Sequence, residues 1–386
     1  MKKIHLVIIT VLLAALLALA GCTVTGTTAP ASVTAPVTTA PAIVANASLA
    51  GLESAFEEIY ARVNPSVVNI SVVQKVDNPF TTSQYSGVLG SGFLWDKAGH
   101  IVTNNHVIAD GDNITVTFYD GTEVPGTLIG ADADSDLAVI KVDMPTDAIE
   151  PLQIADSTQL KVGQMAIAIG NPFGLQGTMT TGIISGLGRL IAANENAVGP
   201  TYSIPDIIQT DAAINPGNSG GVLLDDTGSL IGVTNSIATT TGTSAGVGFA
   251  IPSAIVEKVV PALIETGHFD HPYIGASILS LTSALSTAMD LPANQRGAMV
   301  STVTVNGPAD KAGLRASGKT VTINGQEIEV GGDVIIAYNG QTVKSSDDLI
   351  TLLARTGTAG DVVTLTVLRD GQEVQVAVTL GVRPVS

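Results

Sequence analysis

Short runs of β-branched and aromatic residues follow one another along the chain from Ser66, and they constrain its fold more than any other feature. The runs include "SVVNISVV", "ITVTFY", "LAVIKV" and "LIGVTN", and turn-forming residues such as Asp120 and Gly121 lie between them. Many short strands separated by turns are typical of a barrel or a sandwich of antiparallel sheets. The sequence therefore predicts that most of the chain is β-structure.

Helices are predicted at few places. In the β-rich part we predict one helix over 52–62 and another over Ser253–Thr266, with Ser253 as its N-cap and a kink or interruption at Pro261. The last third of the chain mixes strand-like runs such as "AMVSTV" and "VVTLTVLRD" with two predicted helices, over 308–314 and 346–356. This pattern indicates a separate, small α/β unit after the β-rich part.

The first 22 residues have the features of an export signal. Two lysines precede an apolar run, which ends in Leu19-Ala20-Gly21-Cys22. That tetrapeptide resembles the bacterial lipobox, whose cysteine is lipidated; the alternative is a cysteine that stands there by chance. We predict a lipoprotein signal peptide over 1–22, lipidation of Cys22, and an extracytoplasmic protein anchored by lipid to the bacterial cell membrane. Residues 23–50 are mostly Thr, Ala and Pro and carry no charge, which is typical of a disordered tether.

Charge and cysteine content narrow the possible partners and cross-links. The chain has 17 Lys and Arg against 34 Asp and Glu, a net charge of −17, and its basic residues form no cluster. Nucleic acid and anionic lipid surfaces are therefore poor candidate partners. Because Cys22 is the only cysteine, no disulfide can form within the chain, and stability depends on core packing.

The stretch "DAAINPGNSGG", residues 211–221, surrounds the hydroxyl group of Ser219 with glycine, proline and asparagine. Such a segment is either a tight turn or a backbone bent to expose a nucleophile. Gly217 tolerates backbone angles that other residues resist, so the amides of Gly217, Asn218 and Ser219 can point at one spot. Converging amides of this kind stabilise the oxyanion that forms when a nucleophile attacks a carbonyl group.

A serine nucleophile needs a base within hydrogen-bond reach and a third group that orients the base. Among the five histidines, His106 lies where the run "IVT" ends, on a rigid edge that suits the aiming of an imidazole. Asp136 directly precedes the apolar run "LAVIKV", so we expect it to be buried beside His106. Asp132 and Asp134 are expected to be solvated turn residues.

The segment Gly217–Gly221 also fits the nucleophile elbow of α/β-hydrolases. In that fold the acid and the histidine follow the serine, and strands alternate with helices. Here only His268 and His271 follow Ser219, and the preceding 150 or so residues have a β pattern. The elbow interpretation is therefore disfavoured.

With His106, Asp136 and Ser219 in this order, the chain resembles the chymotrypsin clan and, more closely, the HtrA (Deg) family of exported serine proteases. The matching blocks include "GSGFLWDKAGHIVTNNHVI", "AIAIGNPFGL", "IIQTDAAINPGNSGGVLLD" and "GVGFAIP". The resemblance implies a mainly β fold, in which a chymotrypsin-like double β-barrel protease domain over 51–268 is followed by a small α/β PDZ domain over 271–383. It also implies a homotrimeric serine endopeptidase that degrades unfolded or damaged proteins and uses neither metal nor cofactor.

The same resemblance assigns roles to individual residues. The implied roles are general base for His106, orienting acid for Asp136, nucleophile for Ser219, oxyanion hole for the backbone of Gly217, Asn218 and Ser219, substrate pocket for Ala213 and Ile214, regulatory loop for Arg189, and binding of a peptide's C-terminal carboxylate for Tyr273, Ile274, Gly275 and Ala276. The connection 315–333 is longer than is usual in the family, so the PDZ groove or its contact with the protease domain can differ.

Substrate preference follows from one position in the pocket. Trypsin-like relatives that cleave after Lys or Arg carry an acid six residues before the nucleophile, where this chain has Ala213. A charged P1 side chain would be buried there without a partner, so we predict small or medium aliphatic P1 residues. The alternative functions are a non-proteolytic chaperone, a PDZ scaffold that binds C-terminal peptides, and a lipoprotein that only binds peptides at the cell surface.

Overall fold

A computed structural model describes residues 47–76, 84–109, 111, 113–172, 177–192, 203–235 and 246–384. The backbone divides into a unit over Met1–Leu52 and a unit over Glu53–Ser386, and the second contains two closed β-barrels followed by an α/β domain. The predicted mainly β fold is thereby confirmed. The predicted signal peptide, Cys22 and most of the predicted tether lie outside the described residues. Among the described helices none is long and apolar enough to cross a membrane.

The first barrel is antiparallel and closes in the order β1-β2-β3-β6-β5-β4. Helix α1 (Ala47–Val63) and a 3₁₀ turn (Asn64–Ser66) precede it, and the short helix α2 (Asn105–Ile108) follows its third strand. Its strands are β1 (Val67–Val76), β2 (Gln84–Leu94), β3 (His100–Thr103), β4 (Asn113–Thr117), β5 (Glu123–Asp132) and β6 (Leu137–Lys141).

The second barrel closes in the order β10-β11-β12-β9-β8-β7, and helix α3 (Ser253–Thr266) follows it. A 3₁₀ turn at Ser157–Gln159 lies in the connection between the barrels. Its strands are β7 (Met165–Gly170), β8 (Thr178–Ala192), β9 (Ser203–Thr210), β10 (Val222–Leu224), β11 (Leu230–Asn235) and β12 (Gly248–Pro252).

Strands β6 and β7 contribute to the packing between the barrels, and each of them is buried on both faces. Successive residues of a strand point to opposite faces. On β6, Ile140 lies inside the first barrel, whereas Val139 belongs to a cluster that both barrels share. On β7, Ala168 lies inside the second barrel, whereas Ile167 belongs to the shared cluster. This double burial explains why "LAVIKV" and "MAIAIG" are apolar throughout rather than alternating.

The α/β domain is built on a sheet in the order β14-β15-β18-β20-β21, with β19 paired to β18. Helix α6 (Ser346–Thr356) confirms the predicted second helix of this domain. The other elements are β13 (Pro272–Tyr273), β14 (Ala276–Ser280), α4 (Ser283–Ala288), β15 (Ala298–Val303), α5 (Pro308–Lys311), β16 (Lys319–Ile323), β17 (Gln326–Val330), β18 (Val334–Tyr338), β19 (Gln341–Thr342), β20 (Val362–Arg369), β21 (Gln372–Thr379) and β22 (Gly381–Val382).

The long connection 315–333 forms a hairpin of β16 and β17. Its two-residue turn is Asn324-Gly325, and both residues have positive φ, at 54° and 82°. An Asn-Gly pair with positive φ at both positions is typical of a type I′ turn, whose twist suits a β-hairpin. The connection is therefore an ordered hairpin of the α/β domain.

Three predicted helix details are wrong. Helix α1 begins at Ala47, so the last four residues of the predicted tether are helical. The helix predicted over 308–314 ends at Lys311. Helix α3 continues through Pro261 to its predicted end at Thr266, but Ser253 is its first residue rather than its N-cap. The Ser253 hydroxyl instead donates to the carbonyl oxygen of Ala155 at 2.6 Å, which joins the helix to the second barrel.

An ion pair joins the α/β domain to the second barrel. The guanidinium group of Arg355 on α6 donates two hydrogen bonds of 2.5 Å to the carboxylate of Asp206 on β9. The Asp206 side chain is 1% exposed, and burial raises its pKa although Arg355 opposes the rise. A bidentate ion pair of this kind fixes the relative orientation of the two side chains.

Replacement of Arg355 by Ala should lower the free energy of unfolding near pH 7 by about 3 kcal/mol, because the Asp206 carboxylate loses its buried partner. The pKa of Asp206 should then rise further. A carboxyl group whose folded pKa is raised destabilises the fold increasingly as the pH rises from its ordinary pKa of 3.8 towards the folded value, so the loss should be smaller near pH 4. Urea titrations at the two pH values measure both effects.

The matched control is Arg315→Ala, because Arg315 pairs with the exposed carboxylate of Asp370 at 3.0 Å. An exposed pair contributes about 0–1 kcal/mol, so this variant should differ little from the parent. Equal losses in the two variants would contradict the role assigned to the buried pair.

Candidate active site

His106 and Asp136 meet at the edge of the first barrel. His106 lies on the short helix α2, directly after β3, and Asp136 lies in the turn between β5 and β6 with a φ of 55°. The Nδ1 atom of His106 is 2.7 Å from Oδ2 of Asp136, and the backbone N–H of His106 donates to Oδ1 at 2.9 Å. The Asp136 side chain is 4% exposed and the imidazole 28%, so the predicted burial of Asp136 is confirmed.

Asp136 is held by further donors, and one of them comes from the second barrel. Asn235, at the end of β11, donates from Nδ2 to Oδ2 of Asp136 at 2.8 Å. The backbone carbonyl of Asp136 accepts hydrogen bonds from Asn104 Nδ2 at 2.9 Å and from the N–H of Asn105 at 3.1 Å. The role of Asn235 was not predicted from the sequence, where it is only a polar residue two positions after the apolar run "LIGV".

The predicted nucleophile Ser219 lies in the loop between β9 and β10, and it is 3% exposed. Gly217 and Gly220 have φ values of 94° and 83°, which glycine adopts at little cost. The N–H of Asn218 donates to the Asn215 carbonyl at 2.9 Å, and the Asn218 carbonyl accepts from Gly221 N–H at 2.8 Å and from the Thr234 hydroxyl. These bonds fix the peptide planes on both sides of Asn218.

The nucleophile loop packs directly against β2 and against β3, the strand that leads to His106. The N–H of Ser91 on β2 donates to the carbonyl oxygen of Ser219 at 2.7 Å. A Cβ atom on Gly220 would lie 2.1 Å from the Ser91 carbonyl oxygen and 2.3 Å from the Thr103 hydroxyl. Because His106 follows Thr103 by three residues, the structure brings the Ser219 loop and the histidine to the same edge of the first barrel.

Ala213 and Ile214 precede Ser219 in the same loop. Ile214 is fully buried, and a Cβ on Gly248 of β12 would lie 2.5 Å from its Cγ1 atom. The Ala213 carbonyl accepts from the Thr180 hydroxyl at 3.0 Å, which ties this part of the loop to β8. The neighbouring carboxylate of Asp211 accepts from the backbone N–H of Ile183 at 2.7 Å. This part of the loop thus carries two apolar side chains, and contacts with β8 and β12 of the second barrel hold it in place.

The expectation that Asp132 and Asp134 are solvated turn residues is wrong. The Asp132 side chain is 9% exposed, and both of its oxygens lie within 2.9 Å of His271 Nε2. Burial alone would raise the pKa of Asp132, but His271 and Ser135 stabilise the carboxylate and hold the pKa below its usual value. Asp134 accepts from Arg383 at 2.9 Å. Both partners are distant in the sequence, so the local pattern did not reveal them.

Arg189 lies on strand β8 opposite Ile207 of β9, and it is exposed. The pairing of β8 with β9 is irregular on both sides of Arg189. A Cβ on Gly186 would lie 3.2 Å from Arg189 Nε and 3.3 Å from Gln209 Oε1. The predicted regulatory loop residue is thus part of a strand, next to the strand that leads to the Ser219 loop.

The segment Tyr273–Ala276 links β13 to β14 in the α/β domain. Gly275 has a φ of 81°, and its carbonyl accepts from the N–H of Thr304 at 2.9 Å. The segment borders a cavity of about 260 Å³ between β14 and α6. Apolar side chains dominate the lining, chiefly Ile274, Ile278, Leu349, Ile350 and Leu353.

Comparison with family models divides the chain into two domains. Residues 90–233 match the trypsin-like peptidase domain, and residues 272–380 match the PDZ domain. The first range contains β3 to β10 and the predicted catalytic residues His106, Asp136 and Ser219. The second contains the α/β sheet and helix α6.

Several named proteins are similar to most of this chain. Protease Do-like 1, chloroplastic, from Arabidopsis thaliana is 40% identical over 334 residues, which cover 86% of this chain and 73% of that protein. The probable periplasmic serine endoprotease DegP-like of Brucella suis is 40% identical over 295 residues, or 76% of this chain but only 53% of that protein. The chain thus spans about half the length of the Brucella relative.

Solved structures give the same result for the fold. The HtrA-type protease AlgW with tripeptide has a TM-score of 0.67 and 34% identity, over 86% of this chain and 98% of that one. The serine endoprotease from Yersinia pestis has a TM-score of 0.56 and 30% identity, over 85% and 98% of the two chains.

Replacement of Gly220 by Ala should displace the Ser219 loop, because the new methyl group would overlap the Ser91 carbonyl and the Thr103 hydroxyl. We expect Gly220→Ala to lower the free energy of unfolding by about 2 kcal/mol or more beyond the loss in Gly121→Ala. Gly121 is the matched control, since its φ of 84° is close to the 83° of Gly220 and nothing lies within 4 Å of its added Cβ. Equal losses in urea titrations would show that the loop tolerates the methyl group.

Proposed function

The chain belongs to the HtrA family of serine proteases, with a trypsin-like domain and one PDZ domain, and on that premise we propose that it is an extracytoplasmic endopeptidase acting on unfolded or damaged proteins. The similarity to proteins named periplasmic supports the location. The observation that carries the proposed chemistry is the Asp136 carboxylate, which lies 2.7 Å from His106 Nδ1 and is fixed by donors from both barrels.

Asp136 determines which nitrogen of His106 acts as the base. With its proton on Nδ1 and directed at the carboxylate, the neutral imidazole presents Nε2 as a proton acceptor. His106 takes the proton from the Ser219 hydroxyl as that oxygen attacks the substrate carbonyl, and the resulting imidazolium is stabilised by Asp136. His106 then gives the proton to the leaving amine, and water releases the acyl group from Ser219 by the same steps.

The backbone N–H groups of Gly217 and Ser219 supply the oxyanion hole in this proposal. The N–H of Asn218, which the sequence also suggested, donates to the Asn215 carbonyl at 2.9 Å instead. The C=O and N–H of a trans peptide point in opposite directions. Because the Asn218 carbonyl is bonded to Gly221 and Thr234, the N–H of Ser219 points away from β11. Amides fixed before the reaction stabilise the oxyanion without reorganising, and one such donor lowers the barrier by about 3 kcal/mol.

The pocket proposed for the P1 side chain is formed by Ala213 and Ile214. Both side chains are apolar, and the nearby Asp211 carboxylate is engaged with the Ile183 N–H. A cationic P1 group would lose its hydration there without gaining a carboxylate partner at position 213. Small or medium aliphatic P1 residues are therefore preferred.

The PDZ domain is proposed to bind the C-terminus of a peptide and so regulate the protease. Capture of a terminal carboxylate by converging backbone amides is a recurring mode of peptide recognition, and Tyr273, Ile274, Gly275 and Ala276 lie beside an apolar cavity that can take the last side chain. Asp134 and Pro205 from the barrels also border this cavity, so a bound peptide would lie next to the protease domain. Arg189 is proposed to take part in ordering the loop of Ala213 and Ile214.

Two further proposals rest on the sequence and on family resemblance. The lipobox-like segment before Cys22 supports a signal peptide over 1–22 and a lipid anchor, with the Thr/Ala/Pro-rich segment as a tether. A homotrimer is the usual assembly of the family. Both can be tested on the protein itself, by mass spectrometry of the mature N-terminus and by light scattering.

The native protein should cleave unfolded casein, and Ser219→Ala should abolish the cleavage. Asp136→Asn should lower kcat about 10⁴-fold, because the amide stabilises the wrong tautomer of His106. Asp96→Asn is the matched control, since Asp96 lies 2.7 Å from His100 Nδ1 in an Asp–His pair outside the site, and it should keep most of the activity. Casein binding without cleavage by the native protein would support the chaperone or scaffold alternative.

A series of peptides that differ only at P1 tests the pocket. We expect kcat/KM to be highest for Val, Ala or Ile, and at least about 10²-fold lower for Arg, which corresponds to about 3 kcal/mol of unpaired charge. Mass spectrometry of casein fragments should give the same order. Preferred cleavage after Arg or Lys would contradict the role assigned to Ala213 and Ile214.

A further inference from the structure

The hydroxyl group of Ser91 is buried where the two barrels meet. Ser91 lies on β2 of the first barrel and is 0% exposed. Its Oγ donates to the carbonyl oxygen of Gly217 at 2.7 Å and accepts from the backbone N–H of Asn171 at 2.8 Å. Its own N–H donates to the carbonyl oxygen of Ser219. One residue of the first barrel thus contacts the nucleophile loop at two carbonyl groups.

The Ser91 hydroxyl fixes the peptide group between Gly217 and Asn218, beside a glycine whose backbone could otherwise rotate easily. Gly217 has a φ of 94°, and glycine adopts such values and their mirror images with similar ease. The peptide between Gly217 and Asn218 is fixed at its carbonyl by Ser91 and at its N–H by the Asn215 carbonyl. Without the hydroxyl, rotation of this peptide would leave the Gly217 carbonyl buried and without that donor.

The hydroxyl is itself fixed from the other side. Asn171, which donates to it, directly follows β7 and is 2% exposed. The Asn171 side chain donates to the Val68 carbonyl at 2.8 Å and accepts from the Gly177 N–H at 2.9 Å. Ser91 therefore has one donor and one acceptor in set positions, which determine where its proton points.

We propose that Ser91 is a positioning residue for the reaction: its hydroxyl sets the Gly217 carbonyl, and through it directs the backbone N–H groups of Gly217 and Ser219 towards the developing oxyanion. This inference rests on the proposed function, because it takes Ser219 as the nucleophile. Ser91 touches neither substrate nor reacting atoms in this scheme and acts only through the loop.

The test measures how fast Ser219 of the full chain reacts with a fluorophosphonate probe, because that reaction also places negative charge on an oxygen beside the nucleophile. Ser91→Ala should lower the rate constant for labelling at least about tenfold, since misaligned donors stabilise this charge less. With a peptide that has Val at P1, kcat should fall while KM changes little.

The matched control is Ser253→Ala. Ser253 is also 0% exposed, and its hydroxyl likewise donates to a carbonyl, of Ala155 at 2.6 Å, and accepts from an N–H, of Ser157 at 3.3 Å. It does not touch the nucleophile loop, so this variant should be destabilised similarly but should label within about twofold of the parent rate. Thermal unfolding checks that both variants are folded at the temperature of the assay.

The outcomes separate this inference from the function on which it rests. A parent protein that neither labels at Ser219 nor cleaves peptides would refute the proposed function. A parent that labels, with Ser91→Ala and Ser253→Ala reacting at equal rates, would leave the function intact and overturn the role of Ser91. If Ser91→Ala does not fold, Ser91→Cys replaces it: a thiol is a weaker donor of similar size, and a rate equal to the parent's would overturn the inference.

Discussion

The carboxylate of Asp136 is the point on which the arrangement of the site depends. It accepts a hydrogen bond from the backbone N–H of His106 and lies 2.7 Å from Nδ1 of the same residue, in the first barrel. From the second barrel it accepts a hydrogen bond from the side-chain amide of Asn235. A buried carboxylate is costly unless donors surround it, so its position can be stable only where these elements meet. In the proposed mechanism the same interaction holds the proton of His106 on Nδ1 and leaves Nε2 as the proton acceptor. Stability and chemistry therefore demand the same geometry at this residue.

The packing of the barrels makes that meeting possible. Strands β6 and β7 bury both faces, and the apolar cluster between them brings the turn of Asp136 beside the loop of Ser219. The loop needs a backbone that only glycine tolerates at 217 and 220, and its shape is set by contacts from outside it. Ser91 and Thr234 supply such contacts, one from each barrel. The loop is thus defined by tertiary contacts rather than by its own sequence.

The sequence predicted the parts of this arrangement that leave a local signal. Asp136 was expected to be buried because an apolar strand follows it. The strand pattern predicted a barrel or a sandwich, and the family resemblance implied the two barrels. Asp132 was predicted wrongly because His271, 139 residues away, removes it from solvent. Asn235 and Ser91 were missed, since a lone polar residue in a strand does not show which distant group it meets. The bounds of α3 were predicted correctly, but Ser253 does not cap the helix because its hydroxyl bonds to Ala155.

The central claim is that His106, Asp136 and the Ser219 loop form one reacting unit across the two barrels. A crystal structure of the chain with a phosphonate bonded to Ser219 tests it most directly. The account predicts the phosphonyl oxygen within about 3 Å of the Gly217 and Ser219 amides, and His106 Nε2 at a similar distance from Ser219 Oγ with Nδ1 still on Asp136. An adduct on another residue, or an imidazole turned away from Asp136 with its Nε2 more than about 5 Å from Oγ, would contradict it.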